Sequence, residues 1–182
     1  MANLILLKTN GTPIVWADTT DYAGAGGTRT HQITLAGLAT TNGRAGEKAD
    51  MDTGQAVANR QSQRWAATLR VEMAVAPVDG ITVELYWAAS LSATAATANP
   101  AQLTGADEAL TAPTAGQLGQ LQWIGSLTLQ ALAVTYIQQK TFITTLPTQW
   151  GMPVVVNRSA QAFDADDIQM SVTLTPLEDE AQ

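Results

Sequence analysis

Residues 64–87 read RWAATLRVEMAVAPVDGITVELYW, and this stretch decides the fold. In its first half Trp65, Ala67, Leu69, Val71, Met73 and Val75 share one parity, while Arg64, Thr68, Arg70 and Glu72 hold the other. Successive side chains of a strand point to opposite faces, so the alternation marks a half-buried antiparallel strand. Pro77, Asp79 and Gly80 then supply a turn. Ile81, Val83, Leu85 and Trp87 resume the apolar parity against Thr82, Glu84 and Tyr86. Two such runs around a Pro/Gly-marked turn predict a β-hairpin in the core of a sandwich.

The same period recurs outward from this segment, and long helical periodicity does not. Short strands are expected over Thr12–Ala17 and within 29–38, where Ile33 and Leu35 share a face with His31. Further strands are expected over Leu121–Leu132, Val134–Ile143, Met152–Asn157 and Ile168–Pro176. Two short helices are candidates, Ala49–Arg60, weakened by Gly54, and Ala115–Gln122. Many strands with irregular loops predict an all-β, antiparallel β-sandwich of jelly-roll type. Its expected organisation is an N-terminal strand and flexible arm (1–28), a sandwich (29–177) with a long loop (88–118), and an acidic tail (178–182).

The segment from Ala88 to Asn99 is almost wholly Ala, Ser, Thr and Asn, and Pro100 and Gly105 follow it. Small uncharged side chains bury little, so such a loop holds one shape best against a neighbouring surface. Loop and arm are expected to carry contacts with other subunits. The contact candidates are Arg29, Arg44, Lys48, Arg60, Asn99, Pro100, Leu103 and Asp107.

Composition points the same way. Of the 182 residues, 46% are hydrophobic and 14% charged, against about a quarter charged in ordinary domains. A surface of Ala, Thr, Gln and Gly suits a subunit that is covered in an assembly. The net charge of −7 argues against nucleic acid as the main partner. Without cysteine there are no disulfides and no thiolate metal sites. The opening MANLILLKTNG lacks the pattern of a signal peptide, and no apolar run reaches the length of a membrane helix. Basic residues cluster between Arg29 and Arg70, whereas only acids follow Ser159, a polarity that suits head-to-tail contact or plain solvated faces.

Chemical motifs read weakly. Asp52-Thr53-Gly54 matches the aspartic-protease triplet, but it follows Glu47, Lys48 and Asp50 and is expected to be solvated. Asp164, Asp166 and Asp167 lack the Gly and Glu that complete a calcium loop, since Gln169 and Thr175 stand there. His31 is the only histidine, and no nucleophile turn accompanies it. Gly24, Gly26 and Gly27 are not followed by Lys and a helix. Asn157-Arg158-Ser159 fits a glycosylation acceptor by pattern alone. No catalytic, cofactor or metal residue is expected. Among the tryptophans, Trp65 and Trp87 belong to the core by parity, while Trp16, Trp123 and Trp150 are open to a role in stacking on sugars.

The words VELYWAASLSATAATANP, LTGAD, QLQWIGSLTL, GMPVVVNRSAQAF and SVTLTPLEDE occur in that order across 61–180. In wording and order the chain resembles a family of small structural proteins of tailed bacteriophages. It departs from the family pattern at Trp150-Gly151 and at Asp164, so contacts of those side chains are not carried over. The resemblance implies a non-enzymatic virion protein, a head decoration or cement protein on the capsid surface, made in the host cytoplasm. Its implied partners are the major capsid protein and copies of itself, as in a trimer, without nucleic acid or membrane. A tail or baseplate component with a carbohydrate-binding module is the alternative. Location in the virion and exposure of the tryptophans distinguish the two.

Overall fold

The computed structural model describes residues 5–9, 11–18, 29–54, 64–133, 136–166 and 169–181. Among them, strands are β1 (Ile5–Thr9), β2 (Ile14–Ala17), β3 (His31–Gln32), β4 (Gly43–Ala45), β5 (Ala49–Asp50) and β6 (Arg64–Val71). After these come β7 (Thr82–Ser90), β8 (Glu108–Leu110), β9 (Gln122–Thr128), β10 (Gln138–Thr145), β11 (Trp150–Asn157) and β12 (Ser171–Ala181). One sheet runs β10-β6-β12-β2-β3 with β1 also on β12; the other runs β8-β4-β11-β7-β9 with β5 also on β11. All strand pairs are antiparallel except β2 with β3.

Setting aside β1, β3, β5 and β8, eight strands remain. In chain order they lie sixth-third-eighth-first in one sheet and second-seventh-fourth-fifth in the other. That is the jelly-roll order, two Greek keys folded over one core.

The core between the sheets contains Trp16, Trp65, Trp87, Leu69, Val71, Val83, Leu85, Val155, Val172 and Leu174, all buried. Trp16 meets Trp87 edge to face at 5.9 Å and 80°, the geometry ring quadrupoles favour. Trp16 Nε1 donates to the Glu47 carbonyl at 2.7 Å. Trp87 packs against Gly151, where a Cβ would stand 2.4 Å from the ring.

The alternating runs of 64–87 are both in this core, but they do not form a hairpin. β6 pairs with β10 and β12, and β7 pairs with β11 and β9, so the turn at 72–81 crosses from one sheet to the other. Leu69 and Val71 meet Val83 and Leu85 in the space between the sheets. Period two tells which face a side chain takes, and a hairpin and a crossover give the same alternation. The first run also ends early: Met73 makes one bridge to Phe163, and Val75 is 47% exposed.

Other expectations shift in the same local way. Ala49–Arg60 opens as β5 and a 3₁₀ turn (Met51–Gly54), with the rest outside the described residues. The second candidate helix shrinks to α1 (Ala115–Leu118), capped by Thr114 and Gln117 in a capping box. In the segment 29–38 only β3 is a strand, yet Ile33 and Leu35 are buried as expected. The acidic tail extends β12 to Ala181, with Glu178 paired to Lys8 and Leu177 to Thr9 of β1. The flexible arm at 22–28 lies outside the described residues.

Two substitutions test this packing. Leu85→Ala leaves a void between the sheets and lowers unfolding free energy by about 2–5 kcal/mol. Gly151→Ala drives a methyl into a ring that has no room to retreat, at a cost of about 1–3 kcal/mol. Urea denaturation of both variants measures the losses; wild-type midpoints would contradict the core assignment.

Candidate interaction surface

The strand β11 carries the run MPVVV and is buried on both sides. Val155 faces the intersheet core and Val154 faces outward, yet both are 0% exposed. Pro153, which cannot donate to a ladder, accepts from Gly46 N at 2.9 Å at the break between β4 and β5, so no bond is lost. The outward side is closed by residues 91–121, the connection from β7 to β9. Ala101, Leu103, Leu110 and Leu121 cover Ala45, Ala88, Met152, Val154 and Val156, and Tyr86 and Leu118 flank them. This is a second apolar core. At about 1.5–3 kcal/mol per fully buried Leu or Val side chain, it offsets part of the entropy lost in ordering the connection, and backbone and polar bonds add to it.

Polar pins hold the loop in place. Asp107 accepts from Arg44 Nε at 2.6 Å and Nη2 at 2.5 Å, and from Thr34 N and Oγ1 at 3.1 and 2.7 Å. This fork holds the Arg44 guanidinium above its usual pKa, chiefly through the hydrogen bonds to Asp107. The two side chains are only 22% and 8% exposed, so neither charge is left to bulk water. Lys48 donates through Nζ to the carbonyls of Ser92, Thr94 and Thr97 at 3.1, 2.7 and 3.0 Å. Burial lowers its pKa.

Lys48 N also donates to the Gly105 carbonyl at 2.9 Å. Gly105 has φ +79°, and a Cβ there would come within 2.1 Å of the Ala95 carbonyl oxygen, so only glycine fits. Asn99 Nδ2 bridges the Ala95 and Leu103 carbonyls at 2.6 and 2.8 Å, and Pro100 opens a 3₁₀ turn (Pro100–Gln102). Ala98, Ala101, Gln102 and Ala112 all have positive φ, a conformation that costs non-glycine residues about 1 kcal/mol or more each.

Of the contact candidates, Arg44, Lys48, Asn99, Pro100, Leu103 and Asp107 are thus brought together, and the charges of Arg44, Lys48 and Asp107 and the amide nitrogen of Asn99 are engaged within the chain. The neighbouring surface that orders the loop is the protein's own sheet. A charge in so dry a region needs a partner close by, and the fold supplies one. Arg29 is half-buried near His31, and Arg60 lies outside the described residues.

The tip of the loop, 91–98, is one of its exposed stretches, with Leu91 84% exposed. The alternation of β7 hides this, because Leu91 shares parity with Leu85 and Trp87; the strand stops one residue earlier, at Ser90. The sequence leaves Trp123 open between core and surface. Between β7 and β9 the register slips: Leu85 opposes Gly125, but Tyr86 opposes Trp123. This bulge turns the indole out of the core, and it is 60% exposed. Trp16 is buried and Trp150 half-buried.

The remaining motifs take structural places. The His31 ring lies 5.5 Å from Trp16 and bonds Thr30 Oγ1 at 3.0 Å. Burial lowers its pKa, with Glu47 opposing and Arg29 adding to the shift. Asp52 is half-buried rather than solvated, with its backbone N bonded to Asp50 Oδ1. Asn157 is fully buried and bonds Leu38, Ser159 and Gln161 through both ends of its amide, which leaves no room for a glycan. Among the described residues no cluster of His, Asp and Glu is arranged to hold a metal, and no helix is long and apolar enough to cross a membrane.

No protein-family model, curated protein or solved structure matches the chain. Function is therefore read from the residues and their placement.

The pins are testable. Asp107→Ala strands the Arg44 charge and lowers unfolding free energy by about 2–3 kcal/mol. Lys48→Met releases three carbonyls and speeds proteolysis within 91–98 by roughly tenfold while the sheets stay folded. For His31, the folded pKa lies below 6.5, so the unfolded chain takes up a proton first as pH falls. Stability drops as pH falls through that value and levels off below the folded pKa. Urea midpoints measured from about pH 7.5 to about pH 5.5 fall less in His31→Gln than in the wild type.

Proposed function

We propose that this protein is a non-enzymatic structural component of a tailed-bacteriophage virion, a head decoration or cement protein that attaches to the capsid surface. The observation that carries the reading is the tip at 91–98, small-residue, uncharged and exposed, with Leu91 projecting and Lys48 fixing its backbone from beneath. The connection that carries the tip is held over β11, and the tip is thereby fixed in one shape while its side chains stay in solvent. Because it is already ordered, docking costs little conformational entropy.

The sequence resemblance, the low charge and the jelly-roll sandwich support the same reading. The non-enzymatic part is supported by the places of His31, against Trp16 and Thr30, and of Asp52, in a 3₁₀ turn. The partners are the major capsid protein and further copies of this chain, acting as a homo-oligomer. Each copy bridges neighbouring capsomers through an interface of about 1,600 Å² or less, and repetition over the lattice multiplies a modest affinity.

Immunogold labelling of virions from the phage that encodes the chain tests the location: label is expected over heads. Label on tails alone would contradict the reading. Leu91→Asp in purified protein is expected to weaken rebinding to stripped heads by about tenfold or more. Unchanged rebinding would remove the tip from the interface.

A further inference from the structure

Beyond attachment, the outer face of the second sheet carries a group of side chains that neither core nor loop uses. Trp123 on β9 lies opposite Tyr86 on β7, and Glu84, one row along on the same face, lies opposite Ser126. Tyr86 Oη and Arg158 Nε both donate to Glu84 Oε2, at 3.0 and 2.9 Å. Among the described residues, no protein group bonds Glu84 Oε1, and Arg158 also lies within reach of the Tyr86 hydroxyl. The loop 91–121 adjoins this face, and Leu118 and Tyr86 both pack against the apolar cluster beneath it.

We propose that Trp123, Tyr86, Glu84 and Arg158 form a binding platform for a neutral, pyranose-containing glycan. Two independent observations point to it. The first is the bulge, which breaks the register of a core ladder and aims at solvent an indole that parity would bury. Exposing a ring of that size forgoes a large burial energy, so the side chain is available for a ligand instead. The second is the polar triad beside it, partly exposed and already ordered, with one carboxylate oxygen unengaged and the guanidinium reachable from solvent.

A pyranose fits both halves: its C–H face stacks on the indole, and its edge hydroxyls donate to Glu84 Oε1 and accept from Arg158. The class follows from charge. Glu84 and Arg158 neutralise each other, so the platform offers no net charge for an anionic sugar. A single-stranded nucleic acid could stack on Trp123, but its phosphates would meet a chain of net charge −7. A protein partner needs a wider apolar patch than one ring. The platform does not depend on where in a particle the protein sits, and isolated protein suffices to test it.

The full-length protein is titrated with neutral gluco-, manno- and galacto-oligosaccharides and N-acetylglucosamine oligomers, following the indole N–H resonances by NMR. One of these series is expected to move the Trp123 signal saturably and to leave those of Trp16, Trp65 and Trp87 in place. Trp123→Ala should weaken binding at least about tenfold, with Trp123→Phe in between. Glu84→Gln should weaken it without altering the melting temperature. Lack of response of Trp123 to every series, equal binding by Trp123→Ala, or a shift that follows protein concentration instead of sugar would overturn the proposal. The last outcome would mark the ring as a contact between copies of the chain.

Discussion

Two-sided burial of β11 is the constraint from which the rest of the molecule follows. A strand with valines on both faces cannot sit on the outside of a sandwich, because Val154 and Val156 would face water. Something must cover it, and the chain uses the connection between β7 and β9. That connection then has to stay shut over small side chains that offer little burial of their own. The Arg44–Asp107 fork, the Lys48 contacts with three carbonyls, the Asn99 bridge and Gly105 answer that demand. Strain at Ala98, Ala101, Gln102 and Ala112 is tolerated because the surroundings leave no alternative. Loop and scaffold are one packed unit.

The functional consequence is a difference in kind between a tether and a template. A disordered arm that folds on its partner loses entropy at the moment of binding and gains reach. The tip at 91–98 is held in one shape beforehand, so what it loses in reach it keeps as affinity per contact. That suits a protein that adds to a finished lattice, where the geometry of the joint repeats from copy to copy. It also leaves the flank of β7 and β9, with Trp123, clear of the loop.

Much of this was legible in the residues, and what was not has definite physical causes. Alternation in 64–75 and 81–87 identified both core strands and their inward residues, because parity reports the buried face directly. It could not say whether β6 and β7 were neighbours in one sheet or partners across two, since both arrangements bury the same side chains. The exposure of Leu91 escaped, and that of Trp123 stayed open, for a related reason: parity holds only while the strand and its register do, and one strand ends while the other is bulged. Asn99, Leu103 and Asp107 stand in the small-residue loop, and Arg44 and Lys48 in the basic stretch far before it. They proved to converge there, with their bonds made inward. Sequence places charges near a loop; only the fold decides which side of it they serve. The run MPVVV, read without its parity, was the one local sign that a second layer lay over the sheet.

Residue-resolved native-state hydrogen exchange of the isolated protein tests the central claim, that 91–121 is a packed layer before any partner arrives. The informative amides are Lys48, bonded to Gly105, Ala101, bonded to Gln120 Oε1, and Leu103 and Leu121 within the loop's own turns. Protection close to that of β7 and β11, lost together with it at the global unfolding transition, is the result the account predicts. Exchange of these amides at the rate of an unfolded chain, with β7 and β11 still protected, would contradict it.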